Sequence, residues 1–333
     1  MIQIVHISDL HFIDRQNAAA VARTINFFAS HIPAVANKFA RADLTILPLL
    51  ISSIRVESGL QAHLALTGDI CAWPGDTVNY INSLYQHFNQ MIGASPGLMF
   101  LPILGNHDWG NQMCNIRTTE FINSVFETNH AIAQVSADIV TDGKLNVVVF
   151  RIDSNGMCIP ASGDIPIQTL SDLSTMFKDG KDGAFKDRNQ KTLSKLEYEE
   201  ALKILMVHHS PLLLGDYGGK LNMHEYHSLR LTNLNDLLDT CEDNIDVFLF
   251  GHTHVPLASA SDGFVMINAG AALSNAALLG NANYHLINIK DRDNIEVATY
   301  YWDGRVSFTK PGSPTCFKRG ARTFAGRGYG MWA

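Results

Sequence analysis

Five short apolar stretches of this 333-residue chain each run into residues that can bind a cation or move a proton. Residues 4–7 lead into Ser8-Asp9-Leu10-His11, and 63–66 into Gly68-Asp69. Residues 99–104 lead into Gly105-Asn106-His107-Asp108, 204–207 into His208-His209, and 247–250 into Gly251-His252-Thr253-His254. In α/β sheets, functional groups gather beyond the carboxyl ends of the strands. If these five ends are neighbours, they form one cluster of nitrogen and oxygen donors without thiolate, which suits divalent transition metals such as Mn, Fe, Co, Ni or Zn. In Asp9/His11 and in His252/His254, positions i and i+2 face the same side of an extended chain, so each pair can grip one region of space. Glycine before Asp69, Asn106 and His252 lets the backbone turn sharply and pass close to an ion. The donors, about seven, exceed what one tetrahedral ion takes. Two ions sharing a bridging carboxylate would use them, and such a pair can clamp a phosphoryl group and generate hydroxide at neutral pH.

The ordered set DLH, GD, GNHD, H and GHTH, each following a strand, resembles the calcineurin-like metallophosphoesterase superfamily, and it spans positions 9 to 254. The resemblance implies an α/β fold, a four-layer αββα sandwich with a di-metal site at one edge. It implies that Asp9, His11 and His254 bind a first metal. Asn106 (through its amide oxygen), His208 and His252 would bind a second, and Asp69 would bridge both. His107 would sit over the substrate, stabilise phosphoryl charge and protonate the leaving oxygen. Asp108 would orient His107 and favour its protonated form. His208 is preferred to His209 as the ligand because it directly follows the apolar strand; His209 then lies behind the ligands or faces the substrate.

The implied activity is that of a metal-dependent phosphohydrolase, a phosphodiesterase before a monoesterase. Hydroxide activated by two divalent ions, Mn ahead of Fe, Zn, Co or Ni, would attack phosphorus while His107 assists the leaving group. The expected partner is a phosphate ester, with nucleotides among the candidates. A metal-dependent DNA or RNA nuclease is the alternative at the same site. A non-catalytic scaffold is remote, because the full ligand set and His107 are present.

The elements that must position these residues read as strands alternating with helices, followed by a run of strands. That order argues for an α/β core with a later antiparallel portion. Helices are expected over 17–40, 44–56, 77–92, 189–200 and 229–241. Further strands are expected at 2–7, 147–152, 265–268, 284–289 and 297–302, and a polar loop at 177–188. Among less clear positions, Cys71 reads as a small buried hydrophobe. His224, Tyr226 and His227, after the Gly-rich Gly215–Gly219, read as pocket lining or an ordinary loop, and Trp109 as stacking on a base or packing.

Composition sets the outer limits. Hydrophobic residues at 46% and charged residues at 17% exclude disorder over most of the chain. No apolar run reaches the roughly 18 residues that span a bilayer, and the first residues lack a signal-peptide pattern. Cysteines 71, 114, 158, 241 and 316 include no CxxC pair, which fits reduced thiols in a cytoplasmic protein. Net charge is −7, yet residues 304–333 hold six basic residues and no acid, leaving −13 on the rest. The expected division is a catalytic domain over 1–303 and a loosely held basic tail over 304–333 that is dispensable for turnover. In the tail Phe308, Phe317, Phe324, Tyr329 and Trp332 interleave with the basic residues. Such a mixture can bind single-stranded nucleic acid, fold back on the acidic body or mediate self-association, and nucleic acid is the less favoured partner.

Overall fold

Alternation along the strands assigns their layers. In β1 (Ile2–Ile7), Ile2 and Ile4 join one apolar cluster while Val5 and Ile7 join another, because successive side chains leave opposite faces of a strand. The same division recurs in β5 (Asn146–Ile152), β6 (Leu202–Met206) and β7 (Val247–Phe250). There Val147, Val149, Ile204, Met206 and Leu249 meet Ile2 and Ile4, while Val148, Phe150, Leu205, Phe248 and Phe250 face the other way. The computed structural model describes residues 1–11, 46–58, 62–70, 99–109, 134–155, 162–261, 263–273, 282–304 and 307–319.

The remaining strands are β2 (His63–Thr67), β3 (Phe100–Ile103), β4 (Val135–Thr141), β8 (Leu257–Ser261), β9 (Phe264–Asn268), β10 (Asn283–Asp291), β11 (Asn294–Trp302), β12 (Phe308–Thr309) and β13 (Thr315–Lys318). One sheet has the order β12-β11-β10-β1-β2-β3, with β13 also on β11; the other has the order β4-β5-β6-β7-β9-β8. β1, β2 and β3 are mutually parallel, as are β5, β6, β7 and β9, so their carboxyl ends share one edge of each sheet. The two inner faces bury a common core. Helix α1 (Leu47–Ser58) covers the first sheet through Leu50, Ile51 and Ile54. The described chain also forms α2 (Asn106–Trp109), α3 (Ile167–Asp182), α4 (Lys195–Glu200), α5 (Met223–Leu229) and α6 (Leu234–Cys241). Of these, α3, α4 and α6 cover the second sheet through Leu170, Leu173, Phe177, Tyr198, Leu234 and Leu237. The result is helix, sheet, sheet, helix, the αββα sandwich expected.

Several local expectations need correction. The loop expected at 177–188 begins as helix, because α3 continues to Asp182 and stops at Gly183 in a left-handed cap, φ 78°. Gly180 is tolerated inside it because the Tyr198 ring packs where a side chain would stand. The helix expected at 189–200 is confined to 195–200, where Ser194 and Glu197 form a reciprocal capping box that fixes the start. The helix expected at 229–241 is split into α5 and α6, since the backbone between them pairs with Ser210 and Gly163. The helix expected at 17–40, that at 77–92, and Cys71 lie outside the described residues.

The basic segment is built into the first sheet as far as the structure describes it. β12 and β13 both pair with β11, Phe308 and Phe317 are buried, and Arg319 forms an ion pair with Asp246 of the other sheet at 3.1 Å. The expectation of a loose tail fails for 307–319. Its cause is long-range pairing that Gly and Pro punctuation hides in the sequence. Among the described residues, no helix is long and apolar enough to cross a membrane.

Candidate metal centre

The five polar strand ends meet at the shared edge of the two sheets. Backbone hydrogen bonds lace them together: Asp9 N donates to Gly68 O at 3.0 Å, His11 N to Asp69 O at 3.0 Å, and Gly251 N to His208 O at 3.1 Å. The His252 amide donates to Asp9 Oδ2 at 2.9 Å, joining the first motif to the last. Gly105 and Gly251 are required by close approach, since a Cβ at either would overlap the Asp69 carboxylate or the Ser8 hydroxyl.

Backbone conformation sets this region apart. Among the described residues, seven non-glycine residues have positive φ, and five of them are Asp9 (53°), His11 (47°), Asp69 (51°), His252 (69°) and His254 (58°). Each left-handed residue costs on the order of 1–2 kcal/mol, and such outliers concentrate at functional sites. The paired motifs therefore do not converge through an extended chain, as the i, i+2 spacing suggested. Both members of each pair turn left-handed, and the turn aims them inward.

Two groups of side chains result. In the first, His11 Nε2 lies 2.9 Å from His254 Nε2, and His254 Nε2 lies 3.1 Å from Asp9 Oδ1. In the second, His208 Nε2 lies 3.0 Å from Asn106 Oδ1 and 3.1 Å from His252 Nδ1. Asp69 stands between them, with Oδ2 3.9 Å from His11 Nε2 and Oδ1 3.4 Å from His208 Nε2. The aspartates and histidines of both groups are buried, and Asn106 is half-buried. His208 Nδ1 donates to the Thr67 carbonyl at 2.7 Å, so one proton sits there and Nε2 is the atom that faces the group. Metal-binding imidazoles are commonly oriented in this way.

The electrostatics fit a cation. Two imidazole nitrogens at 2.9 or 3.1 Å cannot both present lone pairs unless a proton or an ion lies between them. Burial alone would raise the Asp9 carboxyl, but His254 and His11 hold it well below the ordinary range. Burial alone would lower His208, but Asp69 and Asp9 push it up to about 9. His252 goes the other way, held well below the ordinary imidazole value by burial and by His209 and His208. Divalent ions among the same nitrogen and oxygen donors would balance the carboxylates and occupy the imidazole lone pairs together. The donor set, with Asp69 facing both groups, fits two ions.

The other expected residues are placed as follows. Asp108 is buried, and its Oδ2 accepts from Gly105 N at 2.9 Å, holding the turn that presents Asn106. His107 lies on α2; its side chain and that of Trp109 are outside the described residues. His209 is buried, with Nδ1 2.8 Å from Ser154 Oγ and its ring 4.4 Å from that of His252. Its nitrogen also lies near those of His208 and His252, as in one of three donor groupings, beside Asp9-His11-His254 and Asp9-Asp69-His208. Tyr226 packs on the outer core of the second sheet, and His227 is exposed. The His224 side chain is outside the described residues.

Sequence reasoning missed the supports beneath the centre. His6 Nε2 is 2.9 Å from Thr67 Oγ1, Asn268 Nδ2 donates to Thr253 Oγ1 at 2.6 Å, and His285 Nε2 donates to Asn268 O at 2.7 Å. The available signal was polar residues at inward positions of otherwise apolar strands, as at His6 and His285.

Comparison with known proteins bears on the fold and the family. No protein of curated function matches the sequence. Among solved structures, a purple acid phosphatase from yellow lupin (Lupinus luteus) seeds is similar with TM-score 0.53 at 9% identity, covering 92% of this chain and 52% of that one. The chain thus spans about half the length of that phosphatase. GAP50, the anchor in the inner membrane complex of Plasmodium, has TM-score 0.49 at 11% identity, over 94% of this chain and 89% of its own. A dimetal phosphatase from Danio rerio has TM-score 0.49 at 10% identity, over 95% of this chain and 98% of its own. Residues 2–256 match the calcineurin-like phosphoesterase family, which takes in all five strand-end motifs, and the chain belongs to that family.

Proposed function

We propose that this protein is a metal-dependent phosphodiesterase that uses two divalent ions, Mn ahead of Fe, Zn, Co or Ni. The observation that carries the reading is Asp69: its two oxygens face different donor groups, Oδ2 towards His11 and Oδ1 towards His208. In this reading Asp9, His11 and His254 hold one ion, Asn106, His208 and His252 hold the other, and Asp69 serves both. Bound divalent ions would polarise a phosphoryl oxygen and lower the pKa of water.

The chain's own residues supply the rest. The left-handed turns at Asp9, His11, His252 and His254 fix the donors before anything binds, so little reorganisation is needed. Asp108 locks the Gly105 turn, which presents His107 next to Asn106. His107 would hold a proton on its imidazole and deliver it to the leaving oxygen, a task that matters most where that oxygen leaves as a poorly stabilised alkoxide. A phosphate diester is the favoured substrate class, with nucleotides among the candidates. Every proposed ligand precedes residue 255, so the chemistry belongs to 1–303, and β12 and β13 complete the sheet rather than the site.

The test is metal content and turnover together. The purified protein, loaded with Mn, is expected to hold two ions per chain and to hydrolyse bis(p-nitrophenyl) phosphate faster than p-nitrophenyl phosphate. Asp69→Asn is expected to lose both ions and turnover together. One ion at full occupancy in an active preparation would overturn the two-ion reading, and faster monoester turnover would overturn the diester preference.

A further inference from the structure

A sixth strand end sits behind the centre and belongs to none of the five motifs. β5 finishes at Ile152 and runs into Asp153-Ser154-Asn155. Ser154 is fully buried. Its hydroxyl oxygen accepts from the His209 amide at 3.3 Å and lies 2.8 Å from His209 Nδ1. His209 in turn packs its ring on His252 at 4.4 Å, tilted 56°. The next residue, Asn155, donates through Nδ2 to the Leu104 carbonyl at 3.0 Å, and to Asp153 Oδ1 at 2.7 Å.

These contacts fall behind one half of the centre. Leu104 immediately precedes Gly105-Asn106, the His209 amide follows His208, and the His209 ring backs His252. Asn106, His208 and His252 are the three groups assigned above to the second ion alone. The first group is held from elsewhere, Asp9 and His11 through the Gly68 and Asp69 carbonyls and Asp9 Oδ2 through the His252 amide. The difference follows from topology. β5 neighbours β6, which leads into His208, so its end lies on the second-sheet side of the centre.

We propose that Ser154 and Asn155 are positioning residues for the second ion. Ser154 fixes the His209 ring, and through it the direction of His252 Nδ1. Asn155 fixes the strand end that carries Asn106. This rests on the two-ion reading above. Partners standing behind metal ligands typically contribute about 10–100-fold to metal affinity, and here that contribution falls on one ion of the two.

The test is a stepwise Mn titration of metal-free wild type, Ser154→Ala, Ser154→Thr and Asn155→Ala. Free Mn is followed by its electron paramagnetic resonance signal, and the coupled pair by its own spectrum. Thermal melting of each metal-free protein establishes that it is folded. Wild type is expected to take two ions. Ser154→Ala and Asn155→Ala should each keep the first step and weaken the second by about 10–100-fold, with loss of the coupled spectrum. Ser154→Thr, which keeps the hydroxyl, should restore the second step; if threonine does not fit, Asn155→Ala carries the test alone. Two unchanged steps, or equal weakening of both in a folded variant, would overturn the inference while leaving the two-ion reading standing. A wild type that takes up no second ion would overturn that reading itself, and the inference with it.

Discussion

At the edge where β1, β2, β3, β6 and β7 finish, two aspartates stand among imidazoles whose nitrogens also face one another: His11 meets His254, and His208 meets His252. At the opposite edge the charges meet partners. Arg319 Nη2 reaches Asp246 Oδ1 at 3.1 Å, the other Asp246 oxygen accepts from Lys203 N at 2.9 Å, and the amino terminus of Met1 pairs with Asp142. Lys203 is buried there, which pushes its ammonium down to about 8 although Asp246 pulls the other way, and its Nζ still finds the Ala201 carbonyl at 3.1 Å. The backbone follows the same division. The left-handed Asp9, His11, Asp69, His252 and His254 crowd the first edge, whereas β1, β6 and β7 begin at the second. A charged cluster neutralised by its neighbours stabilises a fold. One whose nitrogens converge on each other through strained turns leaves a role for a cation that the chain does not supply.

That contrast can be broken from either end. The largest effect is expected at the first edge. His107→Ala should lower turnover of a poor-leaving-group diester by about 10²–10⁴-fold, and by less for a good leaving group. Metal content and melting temperature should stay unchanged. Loss of an ion in this variant would mean that His107 is a ligand.

A chain ending at Asp303 removes β13 and the Arg319–Asp246 pair at the far edge, together with β12 at the other end of β11. Buried Phe308 and Phe317 contribute about 2–3 kcal/mol each, so this truncation should be destabilised by roughly 5 kcal/mol in urea unfolding. A chain ending at Arg319 should match the full protein in stability and diester turnover. Equal stability of both truncations would show that residues 307–319 are not a structural tie.

The smallest effect lies between the two edges. His6 and His285 are cross-strand partners in the buried centre of the first sheet. Burial pushes His285 down to about 4, and burial together with His285 holds His6 well below its ordinary value. The unfolded chain therefore binds more protons than the folded one between about pH 6.5 and 4. Their stabilising contribution is complete above about 6.5 and is lost as pH falls towards 4, by about 3 kcal/mol for His285. Urea midpoints measured across that window should fall with pH for the wild type and fall less for His285→Gln. Equal slopes would show that His285 is not held neutral.

Much of the centre was legible because its chemistry resides in residue type. Asp, Asn and His directly after apolar strands mark the loops of the proposed ligands whatever their conformation. The layers were legible because alternation in β1, β5, β6 and β7 is nearly uninterrupted. Conformation was not legible: the spacing of Asp9 and His11 reads as strand, and left-handed turns leave no mark in composition. β4 escaped notice because Asp138 sits buried in its middle, tolerated only because Arg151 and Arg188 bind its two oxygens. α3 escaped because it is mostly polar and begins with Ile167 86% exposed, against the usual sense of an apolar stripe. Ser154 and Asn155 look like any loop after a strand until the chain folds and brings His209 and Leu104 against them.

The left-handed ligands also decide how this centre should be mutated. Alanine is the customary probe, but at His252, with φ 69°, it removes the imidazole and places an ordinary Cβ in a conformation that most L-residues resist. The measured loss then mixes coordination with backbone relaxation. Asparagine visits that conformation readily, so His252→Asn and His254→Asn keep the turn with a shorter amide in place of the imidazole, and the difference in metal-free stability between each and its alanine counterpart measures what the turn itself costs to hold.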